Sequence, residues 1–269
     1  MPTSALLLAL AAAVVHALWN VLLARARDPR AATAVALIVA EIVFAIPAWL
    51  LWRVDAAAWP FIVVSGVLQL VYFTLLITAY RLAPLSVVYP IARGGAPVLV
   101  LVFGVTVLGH GTSVGQVLGV CLVAAGILLV RGTRPTVGRG VALGLAVAAV
   151  IATYTLVDKV GVSHAGALPY LELSMLVPSL AYAGIYPRAR LRAEINLSTV
   201  VAGVATFGAY CMVLLALQRA SAASVAAVRE TSVVLSALLA RRYLAEPVGR
   251  ARFAGAALVA GGIALVSLA

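Results

Sequence analysis

Residues 86–97 read Ser-Val-Val-Tyr-Pro-Ile-Ala-Arg-Gly-Gly-Ala-Pro and lie inside an apolar run long enough to cross a bilayer. The run contains Arg93, whose guanidinium cannot be deprotonated, so placing it at mid-membrane costs at least about 2.5–3.5 kcal/mol on insertion scales. A carboxylate partner, a wet cavity or a ligand must offset that cost. Pro90 and Pro97 each remove a helix hydrogen bond, and we expect a broken helix here, as in the binding sites of transporters. The alternative is a fixed salt bridge that only joins two helices.

The composition is that of a membrane protein. Of the 269 residues, 65% are hydrophobic and only 10% are charged, which is too apolar for a soluble domain. The formal net charge of +11 does not indicate nucleic-acid binding, because the basic residues fall between apolar runs and form no patch. We interpret them as topology signals.

Ten apolar runs have the length of a transmembrane helix, and no loop between them is long enough for a soluble domain. The runs cover residues 3–23, 31–52, 59–80, 85–108, 112–131, 138–158, 165–187, 197–217, 221–240 and 251–268. Alternate loops, counted from the first, hold fourteen arginines, whereas the opposite loops hold only Arg53, Lys159 and Arg219. The positive-inside rule therefore predicts that the odd-numbered loops are cytoplasmic and that both termini lie outside.

The two halves of the chain repeat each other. A shift of 136 residues places residues 119–130 on 255–266 with eight of twelve identical, and it places Arg93 on Arg229. A shift of 131 places Glu41 on Glu172. Five helices per half means that the halves insert in opposite directions. We predict an all-α membrane protein of ten transmembrane helices, built as two inverted five-helix repeats over residues 1–133 and 134–269.

Polar residues within the apolar runs are the candidate binding groups. We expect Glu41 and Glu172 to be partners of the two arginines, or to take up a proton and so couple transport to the proton gradient. Glu230 has no acidic counterpart in the first half, which makes it the best single candidate for a substrate- or proton-binding carboxylate. The full set of candidates for substrate or proton binding is His16, Trp19, Asn20, Glu41, Tyr89, Arg93, Glu172, Arg229, Glu230 and Ser232.

Three further features leave alternatives open. His16 could relay protons, or it could be a neutral histidine bonded to a neighbouring helix. We interpret Asp158 and Lys159 as a solvated pair at the end of the sixth helix. Glycines seven residues apart in the fifth and tenth helices indicate close helix packing, either within the chain or in a homodimer.

Enzyme motifs are absent from the sequence: there is no His-Glu-x-x-His, no Gly-x-Ser-x-Gly, no P-loop and no paired-cysteine metal site. We therefore expect no enzymatic activity, no cofactor and no bound metal. Without an ATP site, any transport would be driven by an ion gradient or by substrate exchange.

Two motifs identify a family resemblance. His16-Ala-Leu-Trp-Asn20 in the first helix and Tyr89-Pro-Ile-Ala-Arg-Gly94 in the fourth, with Arg-Glu-Thr-Ser at 229–232, resemble the EamA branch of the drug/metabolite transporter superfamily across the whole chain. The resemblance implies a secondary transporter of the bacterial inner membrane, often an exporter of amino acids or other small metabolites, with a central cavity between the halves. It also implies cytoplasmic termini. The charge count gives the opposite orientation, and we follow the charge count. Members often carry Gly-Glu-Arg or Gly-Glu-Pro after helices four and nine, whereas Gly-His-Gly follows helix four here.

We therefore expect a transporter that lies in the lipid bilayer, binds a small-molecule substrate and does not bind nucleic acid. Its candidate site holds two arginines and three glutamates, a sum of −1, which favours a zwitterion or a proton-coupled substrate over a simple anion. The alternative from another class is a non-transporting assembly partner or receptor, whose buried charges only fix helix packing.

Overall fold

The computed structural model describes the backbone of residues 1–24, 26–82, 85–107, 109, 111–131, 138–232, 235 and 250–269. Within these residues the chain is helical, and its β pairing is limited to one isolated bridge between Val54 and Ala165. The helices of the first half are α1 (Thr3–Ala24), α2 (Pro29–Leu50), α3 (Trp59–Leu82), α4 (Leu85–Thr106) and α5 (Val114–Arg131), with a 3₁₀ turn at Ala56–Ala58. Those of the second half are α6 (Gly138–Gly161), α7 (Ala167–Ile185), the short α8 (Arg188–Ala193), α9 (Leu197–Leu217), α10 (Ala222–Arg229) and α11 (Arg250–Leu268).

Short polar loops start the helices by capping their free backbone N–H groups. Asp28 caps α2, where its side chain accepts hydrogen bonds from the backbone of Arg30 (3.2 Å) and Ala31 (3.3 Å). Asn196 caps α9 in the same way through Thr199 N (3.1 Å). Such caps each stabilise a helix by about 0.5–2 kcal/mol, and they fix where the apolar segments begin.

The helices follow the predicted apolar runs. Among the described residues, five segments are long and apolar enough to cross a membrane: Pro29–Leu50, Ala56–Leu76, Gly140–Gly161, Ala167–Ile185 and Leu197–Leu217. Four shorter apolar helical segments correspond to the first, fourth, fifth and tenth predicted spans. The ninth predicted span, residues 221–240, is described only at residues 221–232 and 235, so the count of ten spans stays a prediction.

Helix packing has the symmetry expected of two repeats. The second, fourth and fifth helices of one half pack on their counterparts in the other, as α2 on α7, α4 on α10 and α5 on α11. The remaining contacts come in matched sets, since α1 packs on α9 as α6 packs on α3. This pattern places the three self-pairing contacts along the pseudo-two-fold axis between the halves.

The glycines of the fifth and tenth helices are used within the chain. A Cβ added at Gly262 would lie 2.5 Å from the carbonyl oxygen of Gly119, and one at Gly126 would lie 2.6 Å from that of Gly255. Backbones this close leave no room for a side chain, so α5 and α11 form a tight contact between the repeats. Of the two alternatives that the sequence left open for these glycines, the structure shows helix packing within the chain.

The helix break occurs in the second half of the chain, and not in the first half, where it was predicted. α4 runs without interruption from Leu85 to Thr106, although it contains Pro90 and Pro97. In the second half, α10 ends at Arg229, where Glu230 N donates to Ala227 O at 3.2 Å, and helix resumes at Thr231. The expectation of a break beside Arg93 was therefore wrong. α4 packs on α5, α6 and α10, and prolines are tolerated in membrane helices where neighbouring helices satisfy the freed backbone groups. Its counterpart α10 is interrupted at the charged residues themselves.

Candidate substrate-binding site

Arg93 pairs with Glu230. Nη1 of Arg93 lies 3.4 Å from Oε1 of Glu230, and the two side chains are only 5% and 3% exposed. The pair joins α4 of the first half to the end of α10 in the second, at one of the self-pairing contacts. The carboxylate that offsets the buried arginine is therefore Glu230, and the prediction that Glu41 or Glu172 would do so was wrong.

His16 contacts the same arginine. Nη2 of Arg93 lies within hydrogen-bonding distance of Nε2 of His16. A guanidinium can only donate, so Nε2 must be the acceptor and the ring proton must sit on Nδ1. Nδ1 then cannot accept from Trp19 Nε1, which lies 3.3 Å away, and the two rings, 4.7 Å apart and edge-on, make a packing contact. His16 is thus neutral in this arrangement, as the second of its two interpretations supposed.

Arg229 is the second buried guanidinium, with 6% of its surface exposed. Its Cζ lies 5.6 Å from the centroid of the Tyr210 ring, and the group also interacts with the Tyr154 hydroxyl. Within the described part of the chain, no carboxylate lies within salt-bridge distance of it. The described contacts of this guanidinium are an aromatic face and a phenol, and they leave N–H donors that can bind an anion.

Unpaired acceptors lie beside these cations. The second carboxylate oxygen of Glu230, Oε2, and the hydroxyl of Ser232 are buried without a hydrogen-bond partner among the described residues. Leaving a buried polar group unpaired costs about 1–3 kcal/mol, and charged groups cost more. Such groups mark places where a protein binds a polar ligand or changes conformation.

Glu41 and Glu172 form a separate cluster with each other. Ser179 Oγ donates to Glu41 Oε1 at 2.8 Å, and Ser179 lies on the same face of α7 as Glu172, two turns further on. The two carboxyl groups are electrostatic neighbours, and Oε2 of each is buried without a partner in the described structure. Because α2 and α7 pair across the pseudo-two-fold axis, residues at equivalent positions meet each other rather than the arginines.

Asp158 is buried, contrary to its interpretation as a solvated residue. Its exposure is 0%, Tyr170 donates to Oδ1 at 2.9 Å, and Tyr210 donates to Oδ2. α6 continues to Gly161, so Asp158 lies nearly a full turn inside the helix, while Lys159 turns to donate to Leu217 O at 2.5 Å. Gln69 Nε2 donates to the Tyr210 hydroxyl at 3.3 Å. The sequence signal for this network was polar and phenolic residues within apolar runs, which the prediction did not use.

The side chains of Asn20 and Tyr89 lie outside the described residues. In the part of the chain that is described, no three His, Cys, Asp or Glu side chains come together as metal ligands would.

The arrangement can hold a ligand that carries both charges. Arg93, Arg229, Glu230 and Asp158 sum to zero with His16 neutral, so the buried cluster is balanced without Glu41 and Glu172. Ionised groups at this depth are costly unless they serve a binding or transport role, and their place between two inverted halves is the architecture of a secondary transporter. The site and fold therefore define a multi-pass membrane transporter.

The chain belongs to the EamA-like transporter family, which matches it twice, over residues 3–132 and 138–268. Members of this family are transporters rather than enzymes, in agreement with the enzyme motifs missing from the sequence. One solved structure, described only as "Crystal structure of protein", shares the fold with a TM-score of 0.75 and 19% identity, covering 100% of this chain and 98% of its own. None of the curated proteins matches the chain.

Proposed function

We propose that this protein is a secondary-active transporter that exports a small zwitterionic metabolite, such as an amino acid. The observation that supports this most is the pair of buried guanidiniums beside a glutamate whose second oxygen is unpaired. All three groups lie where the two halves of the chain meet. Family membership gives the general class of membrane transporter, and the site chemistry gives the proposed substrate class.

The substrate would bind through its two charged ends. Its carboxylate would take the Arg229 guanidinium, which has no carboxylate partner among the described residues. Its ammonium group would take Oε2 of Glu230, with the Ser232 hydroxyl as a further acceptor. A zwitterion placed there keeps the buried cluster neutral, whereas a free anion or cation would leave an unbalanced charge in a low-dielectric interior.

Alternating access would act on the contact between the halves. The Arg93–Glu230 pair links α4 to α10 and shields both side chains from solvent, so this arrangement is closed around the charges. The helix interruption at Glu230 gives this segment a hinge, and a substrate ammonium group would compete with Arg93 for the carboxylate. Rocking of one half against the other would then open the site to either face. The proton gradient and substrate exchange both remain drivers to be tested.

The proposed location is the bacterial inner membrane, with the odd-numbered loops in the cytoplasm. The fourteen arginines on that side support this orientation.

A metabolite comparison of cells with and without the protein tests the proposal. Cells that express it should lose one class of zwitterionic metabolite to the medium, and Arg229→Gln should abolish that loss while the protein is still made. Arg219→Gln is the matched control, because Arg219 is an exposed arginine at the end of α9. Unchanged metabolite levels with the wild type, or equal export by Arg229→Gln, would contradict the proposal.

One observation favours the other candidate, a non-transporting membrane partner or receptor. Arg93 and Glu230 form a buried salt bridge between the halves, and such a pair can serve only to fix helix packing. The two functions separate when both charges are removed together, an experiment developed in the Discussion.

A further inference from the structure

Asp158 is a fully buried carboxylate that the proposed binding mode does not use. Its exposure is 0%, and no described cation lies within salt-bridge distance of it. Its hydrogen bonds come from the hydroxyls of Tyr170 on α7 and Tyr210 on α9. An ionised carboxylate held by two neutral phenols is costly to bury, which raises the question of what Asp158 does there.

The Tyr170 hydroxyl has one hydrogen but two acceptors. Its oxygen lies 2.9 Å from Asp158 Oδ1 and 3.2 Å from the carbonyl oxygen of Phe61. Tyr210 has no such choice, because Gln69 Nε2 donates to its oxygen and its own hydrogen is directed at Asp158 Oδ2. Tyr170 can therefore change its acceptor while Tyr210 keeps its own.

We propose that Asp158 is a proton-binding site of this transporter. In the ionised state, Tyr170 and Tyr210 each donate to one carboxylate oxygen. When a proton binds Oδ1, that group donates to the Tyr170 oxygen, and Tyr170 turns its hydrogen to the Phe61 carbonyl. Tyr210 continues to donate to Oδ2, so the Asp158 carboxyl group and the two tyrosine hydroxyls keep their hydrogen bonds in both states.

The site is linked to the proposed substrate site through Tyr210. The hydroxyl of this residue binds Asp158, and its ring face holds the Arg229 guanidinium. The charged and polar groups around Asp158 are Tyr170, Tyr210, Arg229, Tyr154 and the neutral Ser65. Behind them, Gln69 bonds to Tyr210, and Arg93 acts electrostatically on Tyr154. Ionised Asp158 balances the charge of Arg229 in the empty site. A substrate carboxylate that binds Arg229 brings a second negative charge to the neighbourhood of Asp158 and disfavours the ionised form of Asp158, so substrate binding and protonation of Asp158 favour each other.

This coupling rests on the proposed function, but the proton site itself can be tested without a substrate. The measurement is infrared spectroscopy of the purified full-length protein in lipid nanodiscs, titrated from alkaline to acidic pH. The wild type should gain a protonated-carboxyl C=O band that is missing from Asp158→Asn. Subtracting the two spectra removes the bands of Glu41, Glu172 and Glu230, which both proteins share. Glu194→Gln is the matched control, since Glu194 is a buried carboxylate in the short loop before α9, and it should leave the band unchanged.

Asp158→Asn should fold normally, because its amide can donate to Tyr170 and accept from Tyr210 as protonated Asp158 would. Tyr210→Phe gives a second readout that keeps the carboxyl group. It removes the donor to Oδ2, so the C=O band should move to higher frequency. The inference would be overturned if the wild type minus Asp158→Asn difference spectrum held no titrating C=O band, or if the band in it did not move in Tyr210→Phe. A protein that shows the band but moves no solute would contradict the proposed function and leave the proton site standing.

Discussion

Replacing Arg93 by glutamine should destabilise the protein strongly. The change leaves the Glu230 carboxylate, 3% exposed, with neither oxygen bonded to a cation, since Oε2 is already unpaired. Removing one partner of a buried ion pair costs about 3–5 kcal/mol. For a chain of this size each kcal/mol lowers the melting temperature by roughly 2–4 °C, so we expect a fall of about 10 °C.

The neutral double variant should behave differently. In Arg93→Gln/Glu230→Gln both charges are gone and two amides face each other, so most of the lost stability should return. The thermal denaturation of the four proteins in detergent forms a double-mutant cycle, and we expect a coupling free energy of at least about 2 kcal/mol between the two sites. Losses that simply add would refute the structural account of the pair.

Flux through the same four proteins separates the two candidate functions. If the charges bind substrate, the double variant should be stable yet fail to transport, because the Glu230 carboxylate that would take the substrate ammonium group is missing. If the charges only fix helix packing, recovery of stability should bring back whatever activity the wild type has. A stable, fully active double variant would therefore contradict the proposed substrate site.

Three other predictions concern the fold and its orientation. Gly262→Ala would place a Cβ 2.5 Å from the Gly119 carbonyl oxygen, and such overpacking should cost about 1–3 kcal/mol in thermal denaturation, whereas the control Gly261→Ala meets open space. Asp28→Ala removes the cap of α2 and should cost about 1 kcal/mol, whereas Asp55→Ala should cost less because the Asp55 side chain makes no capping hydrogen bond. A reporter enzyme that works only outside the cytoplasm should be active when it is fused to the C-terminus. Equal losses of stability within either mutant pair, or a C-terminal reporter located in the cytoplasm, would contradict these expectations.

Much of the fold was predictable from the sequence because the bilayer imposes it. Apolar runs of about 20 residues must be helical in lipid, and the helices lie where the runs predict. The repeat was visible for a similar reason, since the arginines at 93 and 229 fall at equivalent positions of the two halves. The short α8 was not predicted, because six residues rich in arginine carry no apolar signal.

The partners of the buried charges could not be derived in the same way. Helical periodicity gives the face on which a residue lies but not the helix it meets, so Glu41 was assigned to an arginine although α2 packs on α7. The two-fold symmetry of the repeats would have predicted these partners. Helices that pair across a two-fold axis bring equivalent residues together, which explains the meeting of Glu41 and Glu172.

Asp158 shows a different limit. A charge near the end of an apolar run looks the same from sequence whether the helix stops there or continues for another turn. α6 continues to Gly161, and the added turn carries Asp158 into the core.

The central claim is that the buried charges face a space which opens to both sides of the membrane, and thiol labelling tests it most directly. In a variant with Cys121 and Cys211 replaced by alanine, Ser232→Cys places a thiol beside Glu230. A membrane-impermeant thiol reagent should label this cysteine when added to either face of sealed vesicles, and transported metabolite should slow the labelling. Labelling from neither face, or from one face only under all conditions, would contradict alternating access at this site.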